Sequence, residues 1–224
     1  MGKSSTRFDV RACLTGQTLD IAFGDTGIRR SIVSALSAKF PGLYNNDNIA
    51  LVSTHQHSGV GGYVENLLPQ LTSLGYVKQT ADAIVTGTVL AVQKAHDSLA
   101  PGSLSIGNTT VLDGNINRSP SAYLANPPEE RARYQYDQDK DMSLLRFDDA
   151  SGKARGFISF FPVHGTSLYI VSGFSARPEV LTNEYPQNNT LVSGDNKGMA
   201  AYLYECKIAH FWFIFWTEVS ASLR

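Results

Sequence analysis

The chain has 224 residues, of which 42% are hydrophobic and 17% are charged, a composition typical of a folded globular domain. The formal net charge of -1 and the absence of a basic block exclude a general electrostatic attraction to nucleic acid. The two cysteines, Cys13 and Cys206, are far apart and argue against a disulfide framework or a cysteine-based zinc site. The apolar run at 208–216 is too short for a transmembrane helix, which needs about 20 residues.

Helices and strands alternate along the chain. Helical spacing of apolar residues predicts helices over Ile28–Phe40 and Tyr76–Leu99, and a helix start at Gly198–Tyr204. Strand patterns cover Asn46–Ser58, Leu104–Leu112, Ser143–Phe147 and Gly156–Val163, the last two paired around a turn. The polar stretch 113–136, between the strands Leu104–Leu112 and Ser143–Phe147, is predicted to be a loop. We therefore predict an α/β fold, a layered sheet with flanking helices.

Histidines stand where two predicted strands end. His55 and His57 close one strand, and residues two apart on a strand face the same side, so both imidazoles can reach one point. The glycines at 59, 61 and 62 allow the backbone to turn close to a ligand. His164 ends another predicted strand and is likewise followed by a glycine. Imidazole is the commonest protein ligand for zinc, which favours a zinc site, although paired histidines also occur as structural or surface residues.

The remaining candidates are weaker. Arg118 lies in a polar loop, where a guanidinium can hold a substrate group by paired hydrogen bonds or can simply be solvated. His96 is interpreted as a partner of the carbonyls at the end of its helix, and His210 has no identified partner.

Six segments in order carry a family resemblance. They are "GDTGIRRSI" from Gly24, "STHQHSGVGGY" from Ser53, "GNINRSPSAY" from Gly114, "DKDMSLLRF" from Asp139, "FPVHGTSL" from Phe161 and "LVSGDNKGMAAYL" from Leu191. In these segments the chain resembles the neutral (non-lysosomal) ceramidases. The resemblance argues against other zinc hydrolases such as peptidases.

The resemblance implies a zinc-dependent amidohydrolase that cleaves the N-acyl amide of ceramide to sphingosine and a free fatty acid. It implies that His55 and His164 bind the one zinc ion, that His57 is a catalytic residue beside the metal, and that Arg118 binds substrate. The family's glutamate and tyrosine ligands lie beyond the matched region, so the zinc site is expected to be incomplete in this chain. The alternative is an inactive fragment or pseudoenzyme that acts as a lipid- or partner-binding module.

The same resemblance predicts the domain organisation. Residues 1–18 form an unmatched N-terminal segment, 19–205 a partial catalytic domain with a foreign insertion at 170–187, and 206–224 an unmatched aromatic tail. The expected partner is a ceramide-like lipid, without nucleic acid or a transmembrane segment, and peripheral contact with a membrane stays open. Family members are secreted or membrane-associated, but no signal peptide is visible, so the compartment is left undetermined.

Overall fold

The computed structural model describes residues 15–57, 59–164, 194–207 and 212–216. The chain divides into two compact units. The N-terminal unit comprises Arg11–Leu99 and Gly165–Leu203, and the sheet unit comprises Met1–Val10, Ala100–His164 and Tyr204–Arg224. The predicted insertion at 170–187 and His210 lie outside the described residues, so the predicted domain boundaries stay a prediction.

The N-terminal unit begins with a parallel pair of strands joined by a helix. Its elements are β1 (Thr15–Leu19), α1 (Thr26–Lys39), β2 (Ile49–Ser53), α2 (Leu67–Thr72) and α3 (Lys78–Asp97). β1 and β2 pair in register from Thr15 opposite Ile49 to Leu19 opposite Ser53. A helical crossover is the connection that parallel strands require. Both strands therefore end at the same edge, which is where the histidine pair follows.

The core of the N-terminal unit lies against α1 and α3. Ile28, Ile32 and Leu36 are buried at the helical spacing that the sequence shows, and Val92 is buried on α3. Asp25 caps α1, because its carboxylate accepts a hydrogen bond of 3.0 Å from the backbone N–H of Ile28. The two predicted helices are confirmed to within two residues at each end.

The sheet unit contains a four-stranded sheet in the order β3-β4-β5-β6. Its elements are β3 (Gly102–Thr110), α4 (Pro120–Leu124), α5 (Pro128–Arg131), β4 (Asp141–Asp149), β5 (Ala154–Phe160) and β6 (Trp212–Trp216). β3, β4 and β5 are antiparallel neighbours, whereas β6 runs parallel to β5. Gly152, with φ of 80°, makes the predicted turn between β4 and β5. The predicted pairing of these two strands is confirmed.

The last helix, α6 (Asp195–Lys207), confirms the helix predicted around Gly198. The mixture of helices and sheets confirms the predicted α/β class. Among the described residues, no helix has the length and apolarity that a bilayer crossing demands.

Several local predictions are wrong. The predicted loop 113–136 contains α4 and α5, each of which has proline in its first turn, where the missing N–H costs no helical hydrogen bond. β1 and α2 have no counterpart among the predicted elements, and β6 lies in the predicted aromatic tail, where the aromatic residues have high strand propensity. The strand predicted over 46–58 ends at Ser53, and this difference shapes the candidate site.

Candidate metal centre

A backbone bend, rather than a strand, brings the histidine pair together. β2 ends at Ser53, and His55 has φ of 57°, in the left-handed region that non-glycine residues seldom adopt. The Nε2 atoms of His55 and His57 lie 3.1 Å apart, with the two rings nearly perpendicular at 81°. The prediction that the two side chains share a strand face is therefore wrong, although both imidazoles do reach one point.

The end of β1 holds this bend in place. The backbone N–H of Thr54 donates to the carbonyl of Leu19 over 2.9 Å, one residue beyond the last strand pair. The Nδ1 atom of His55 lies 2.5 Å from the carbonyl oxygen of Ala22. A carbonyl can only accept, so Nδ1 carries the proton and Nε2 keeps its lone pair. This is the arrangement that orients a metal-binding histidine.

Tyr63 steadies the chain after β1. Its hydroxyl donates to the carbonyl of Phe23 over 3.0 Å and accepts from the backbone N–H of Phe23 over 3.2 Å. Tyr63 is only 2% exposed, and burial raises the pKa of its phenol while the hydrogen bonds from backbone groups of Phe23 and Ala22 oppose the rise. Tyr63 therefore holds the backbone segment that carries the Ala22 carbonyl, the acceptor for His55.

The residue between the two histidines anchors the bend from inside. Gln56 is 2% exposed, and its Nε2 atom donates to the carbonyl of Asp20 over 2.8 Å. A Cβ atom added to Gly59 would lie 1.8 Å from that Nε2 atom. At Gly62, φ is 79° and an added Cβ would lie 2.8 Å from Val77. The predicted glycine cluster therefore serves close packing of the chain behind the histidines as well as a turn.

A buried lysine also contacts the bend. Lys197 on α6 is 2% exposed, and its Nζ atom donates to the carbonyl of Thr54 over 2.9 Å. Burial lowers the pKa of Lys197 to about 8, and the nearby carboxylate of Asp195 works in the opposite direction. The family-like segment "SGDNKG" includes this lysine, but nothing in its local pattern indicates a contact 143 residues away in the sequence.

His164 follows β5 within the sheet unit. The strand ends at Phe160, four residues earlier than the histidine, and His164 is half-buried. Just before it, the carbonyl of Pro162 accepts a 2.6 Å hydrogen bond from the side-chain amide of Asn115, which also donates to the carbonyl of Asp139 over 2.9 Å. Asn115 is buried. Its two hydrogen bonds fix the backbone that presents His164.

The donor set fits a transition metal. In the N-terminal unit His55 and His57 bring two imidazole nitrogens to one point, and in the sheet unit His164 offers a third imidazole. Three imidazoles suit zinc, which binds histidine nitrogen at about 2.0–2.1 Å. Two such nitrogens on a tetrahedral ion lie about 3.3 Å apart, close to the 3.1 Å between His55 and His57. The residues present therefore fit the predicted metal.

Arg118 and His96 have different surroundings. Arg118 is exposed in a bend just before α4, and its predicted contact with substrate stays a prediction. The Nδ1 atom of His96 lies 2.9 Å from the hydroxyl of Tyr44, and its ring packs 4.6 Å from that of Phe40. The interpretation of His96 as a partner of helix-end carbonyls is therefore replaced by a packing role in the N-terminal unit.

Comparisons with known proteins assign the chain to a single protein family. The family model described as "Neutral/alkaline non-lysosomal ceramidase, N-terminal" matches residues 14–212. The chain therefore belongs to the neutral/alkaline non-lysosomal ceramidase family, and the resemblance in the sequence is confirmed.

Individual relatives agree with this assignment. The chain is 36% identical over 204 residues to the neutral ceramidase of Oryza sativa subsp. japonica, covering 91% of this chain and 23% of the relative. It is 38% identical over 179 residues to the neutral ceramidase of Drosophila melanogaster, covering 80% of this chain and 23% of the relative. The chain thus spans about a quarter of the length of these relatives.

Solved structures match the fold. The crystal structure of neutral ceramidase from Pseudomonas aeruginosa superposes with a TM-score of 0.78 and 33% identity, over 91% of this chain and 30% of that one. A structure described as "Ceramidase complexed with C2" gives a TM-score of 0.76 and 34% identity, over 91% of this chain and 29% of that one. The described fold is therefore that of part of a neutral ceramidase.

Proposed function

We propose that the protein is a zinc-dependent amidohydrolase that cleaves the N-acyl amide of ceramide to sphingosine and a free fatty acid. The observation that carries the proposal is the pair of His55 and His57, whose Nε2 atoms lie 3.1 Å apart, in a member of the neutral ceramidase family. Family membership supplies the reaction class, and the three imidazoles supply donors of the chemistry that zinc prefers.

In this proposal His55 and His164 hold the zinc ion. Support comes from the Nδ1 bond of His55 to Ala22, which leaves the Nε2 lone pair for a metal. When bound, zinc lowers the pKa of water toward 7 and polarises the carbonyl that is attacked. The bend at His55 keeps the ligand in one orientation, so little is lost in ordering it when the ion binds.

His57 acts in the proposal as the catalytic residue beside the metal. Its Nε2 atom lies 3.1 Å from that of His55, near enough to exchange a proton with a group reacting at the ion. An imidazole titrates near neutral pH and can both take up and release that proton. The same 3.1 Å separation also suits a third ligand, so the role of His57 requires a test that separates zinc binding from turnover.

Arg118 is proposed to bind the polar end of the substrate. A guanidinium offers several N–H donors in a fixed plane, which suits the hydroxyl and amide oxygens of a ceramide-like lipid. Its exposure leaves those donors accessible to a ligand. In the proposal the partner is therefore a ceramide-like lipid, and peripheral contact with a membrane accompanies its capture.

The test measures zinc content and fatty-acid release separately. The purified chain is loaded with zinc and given a short-chain fluorescent ceramide, with and without a chelator. Chelator-sensitive turnover would support the proposal, and His57→Gln should then abolish turnover while one zinc per chain remains bound. His96→Gln is the matched control, because His96 contacts Tyr44 and is not one of the three histidines that the proposal uses.

Each outcome separates the candidate functions. Loss of zinc in His57→Gln would make His57 a ligand rather than a proton carrier. Tight zinc without any turnover would favour the alternative of an inactive family member that binds lipid or a partner. Turnover that survives both the chelator and His57→Gln would contradict the proposed zinc chemistry.

A further inference from the structure

A buried lysine holds the peptide that leads into the candidate zinc ligand. We infer that Lys197 is a positioning residue for His55, acting through the carbonyl oxygen of Thr54. The inference rests on the proposed function, because it assigns Lys197 a part in preparing His55 for the metal. Lys197 itself contacts neither the substrate nor the ion in this account.

The environment of Lys197 makes its hydrogen bond important. The side chain is 2% exposed, and its Nζ atom lies 2.9 Å from the Thr54 carbonyl oxygen. Removing an ammonium from water is unfavourable unless acceptors replace the water. A hydrogen bond from a charged donor is also stronger than a neutral one. Lys197 therefore fixes the direction of that carbonyl more firmly than a neutral side chain would.

The direction of this carbonyl determines the backbone of His55. The Thr54 carbonyl and the His55 N–H belong to one planar peptide group, so fixing the oxygen fixes the plane. The other side of Thr54 is held as well, because its N–H donates to Leu19 over 2.9 Å. With both sides of Thr54 held, His55 is kept at φ of 57°, a conformation that is unfavourable without such support.

The bend in turn sets the ring of His55. At this φ the Nδ1 atom reaches the Ala22 carbonyl and the Nε2 atom lies 3.1 Å from that of His57. Release of the Thr54 carbonyl would allow His55 to relax to a negative φ, which would direct the ring away from Ala22. The proton on the ring would then be free to occupy either nitrogen.

The first turn of α6 places Lys197 for this contact. The N–H of Gly198 donates to the carbonyl of Gly194 over 2.9 Å, and a Cβ at Gly194 would lie 2.9 Å from the Cα of Gly198. Asp195, buried and with φ of 59°, lies two residues before the lysine and favours its charged form. The tight turn directs the ammonium towards the end of β2.

The test compares the full chain with Lys197→Met, which keeps the length of the side chain but removes the charge and the donor. In the metal-free parent, NMR of the imidazole nitrogens should show His55 with its proton on Nδ1. Lys197→Met should show a mixture of both tautomers, and its zinc affinity should fall by about 10- to 100-fold. Lys78→Met is the matched control, because Lys78 is exposed and pairs with Asp82 on the surface of α3.

The outcomes are decisive in either direction. A Lys197→Met chain with the parental His55 tautomer and zinc affinity within twofold of the parent would overturn the inference. If Lys197→Met does not fold, Lys197→Gln, with a shorter neutral donor, should show the same losses, and parental behaviour would overturn the inference equally. A parent that binds no zinc would count against the proposed function, while the metal-free tautomer comparison would still decide the role of Lys197.

Discussion

The Nδ1 atom of His55 lies 2.5 Å from the carbonyl oxygen of Ala22, and this contact assigns the ring proton to Nδ1. The consequence is that Nε2 of His55 carries a lone pair, which faces the Nε2 atom of His57 at 3.1 Å. A hydrogen bond from the remote nitrogen both orients a ligating imidazole and raises its basicity. If His55 binds zinc as proposed, the backbone carbonyl of Ala22 has the supporting role that a carboxylate has in many zinc sites.

This relationship predicts different effects for two substitutions of His55. Asparagine places an amide N–H near the position of Nδ1 and tolerates positive φ, whereas alanine does neither. Both His55→Asn and His55→Ala should lose zinc. His55→Ala should also be less stable than His55→Asn by about 1–3 kcal/mol, because the Ala22 carbonyl loses its donor. Urea unfolding of the metal-free chains measures the difference, and equal stability would contradict the supporting role of the contact.

The cap of α1 gives a second prediction. Asp25 is buried, and one carboxylate oxygen accepts from Ile28 at 3.0 Å while the other accepts from the side chain of Asn66 at 3.3 Å. Asp25→Ala should lower the free energy of unfolding by about 1 kcal/mol. Asp25→Asn keeps an oxygen that can cap the helix and should lose less. Thermal melts of the two variants measure the order, and an equal loss would show that capping is not the cause.

Two glycines give opposite expectations for the same substitution. Gly59→Ala places a Cβ 1.8 Å from the Nε2 of Gln56 and should destabilise the chain by about 1–3 kcal/mol. Gly87→Ala lies inside α3 with nothing within 4 Å of the added Cβ, and should stabilise the chain by about 0.5–1 kcal/mol. Chemical unfolding of both variants tests the pair. A neutral Gly59→Ala would mean that the packing behind the histidines can adapt.

The buried lysine predicts a pH dependence of stability. Lys197 has a pKa of about 8 in the folded chain and 10.5 as the ordinary value of an exposed lysine. Between these two pH values the unfolded chain binds more protons, so the contribution of Lys197 to the free energy of unfolding increases as the pH rises. It levels off below about 8 and above 10.5.

The comparison of the parent with Lys197→Met isolates the pH-dependent contribution of Lys197 to the free energy of unfolding. Tyr63, whose pKa is raised by burial, contributes an opposite trend at high pH, but it is present in both chains and cancels in their difference. The difference in the free energy of unfolding between parent and variant should therefore shift in favour of the parent from pH 8 upward. A difference that does not change with pH would show that burial leaves the proton affinity of Lys197 unaltered.

The elements that the sequence predicts are those with a regular local pattern of apolar residues. α1 and α3 follow from apolar residues at helical spacing over three or more turns, and β4 and β5 follow from alternation around a glycine turn. By contrast, α4 and α5 begin with proline and are only five and four residues long, so their sequence resembles a loop. Short elements of this kind depend on their neighbours for stability.

The same distinction, between local pattern and contacts with distant residues, explains which features of the candidate site the sequence predicts. Imidazoles at 55, 57 and 164 are visible in the sequence because their residue type carries the chemistry. The positive φ of His55 is not visible, because it results from contacts with Ala22, Leu19 and Lys197, which are far away along the chain. An alternating pattern continues through residue 57 and therefore predicts a strand that these contacts replace by a bend.

The central claim is that His55 and His164 hold one zinc ion, and calorimetric titration of the purified chain with zinc tests it most directly. We expect one zinc per chain in the parent and in His96→Gln, and loss of that binding in His55→Ala and His164→Ala, each checked for folding by circular dichroism. A parent that binds no zinc, or folded His55→Ala and His164→Ala chains that bind it as the parent does, would contradict the account.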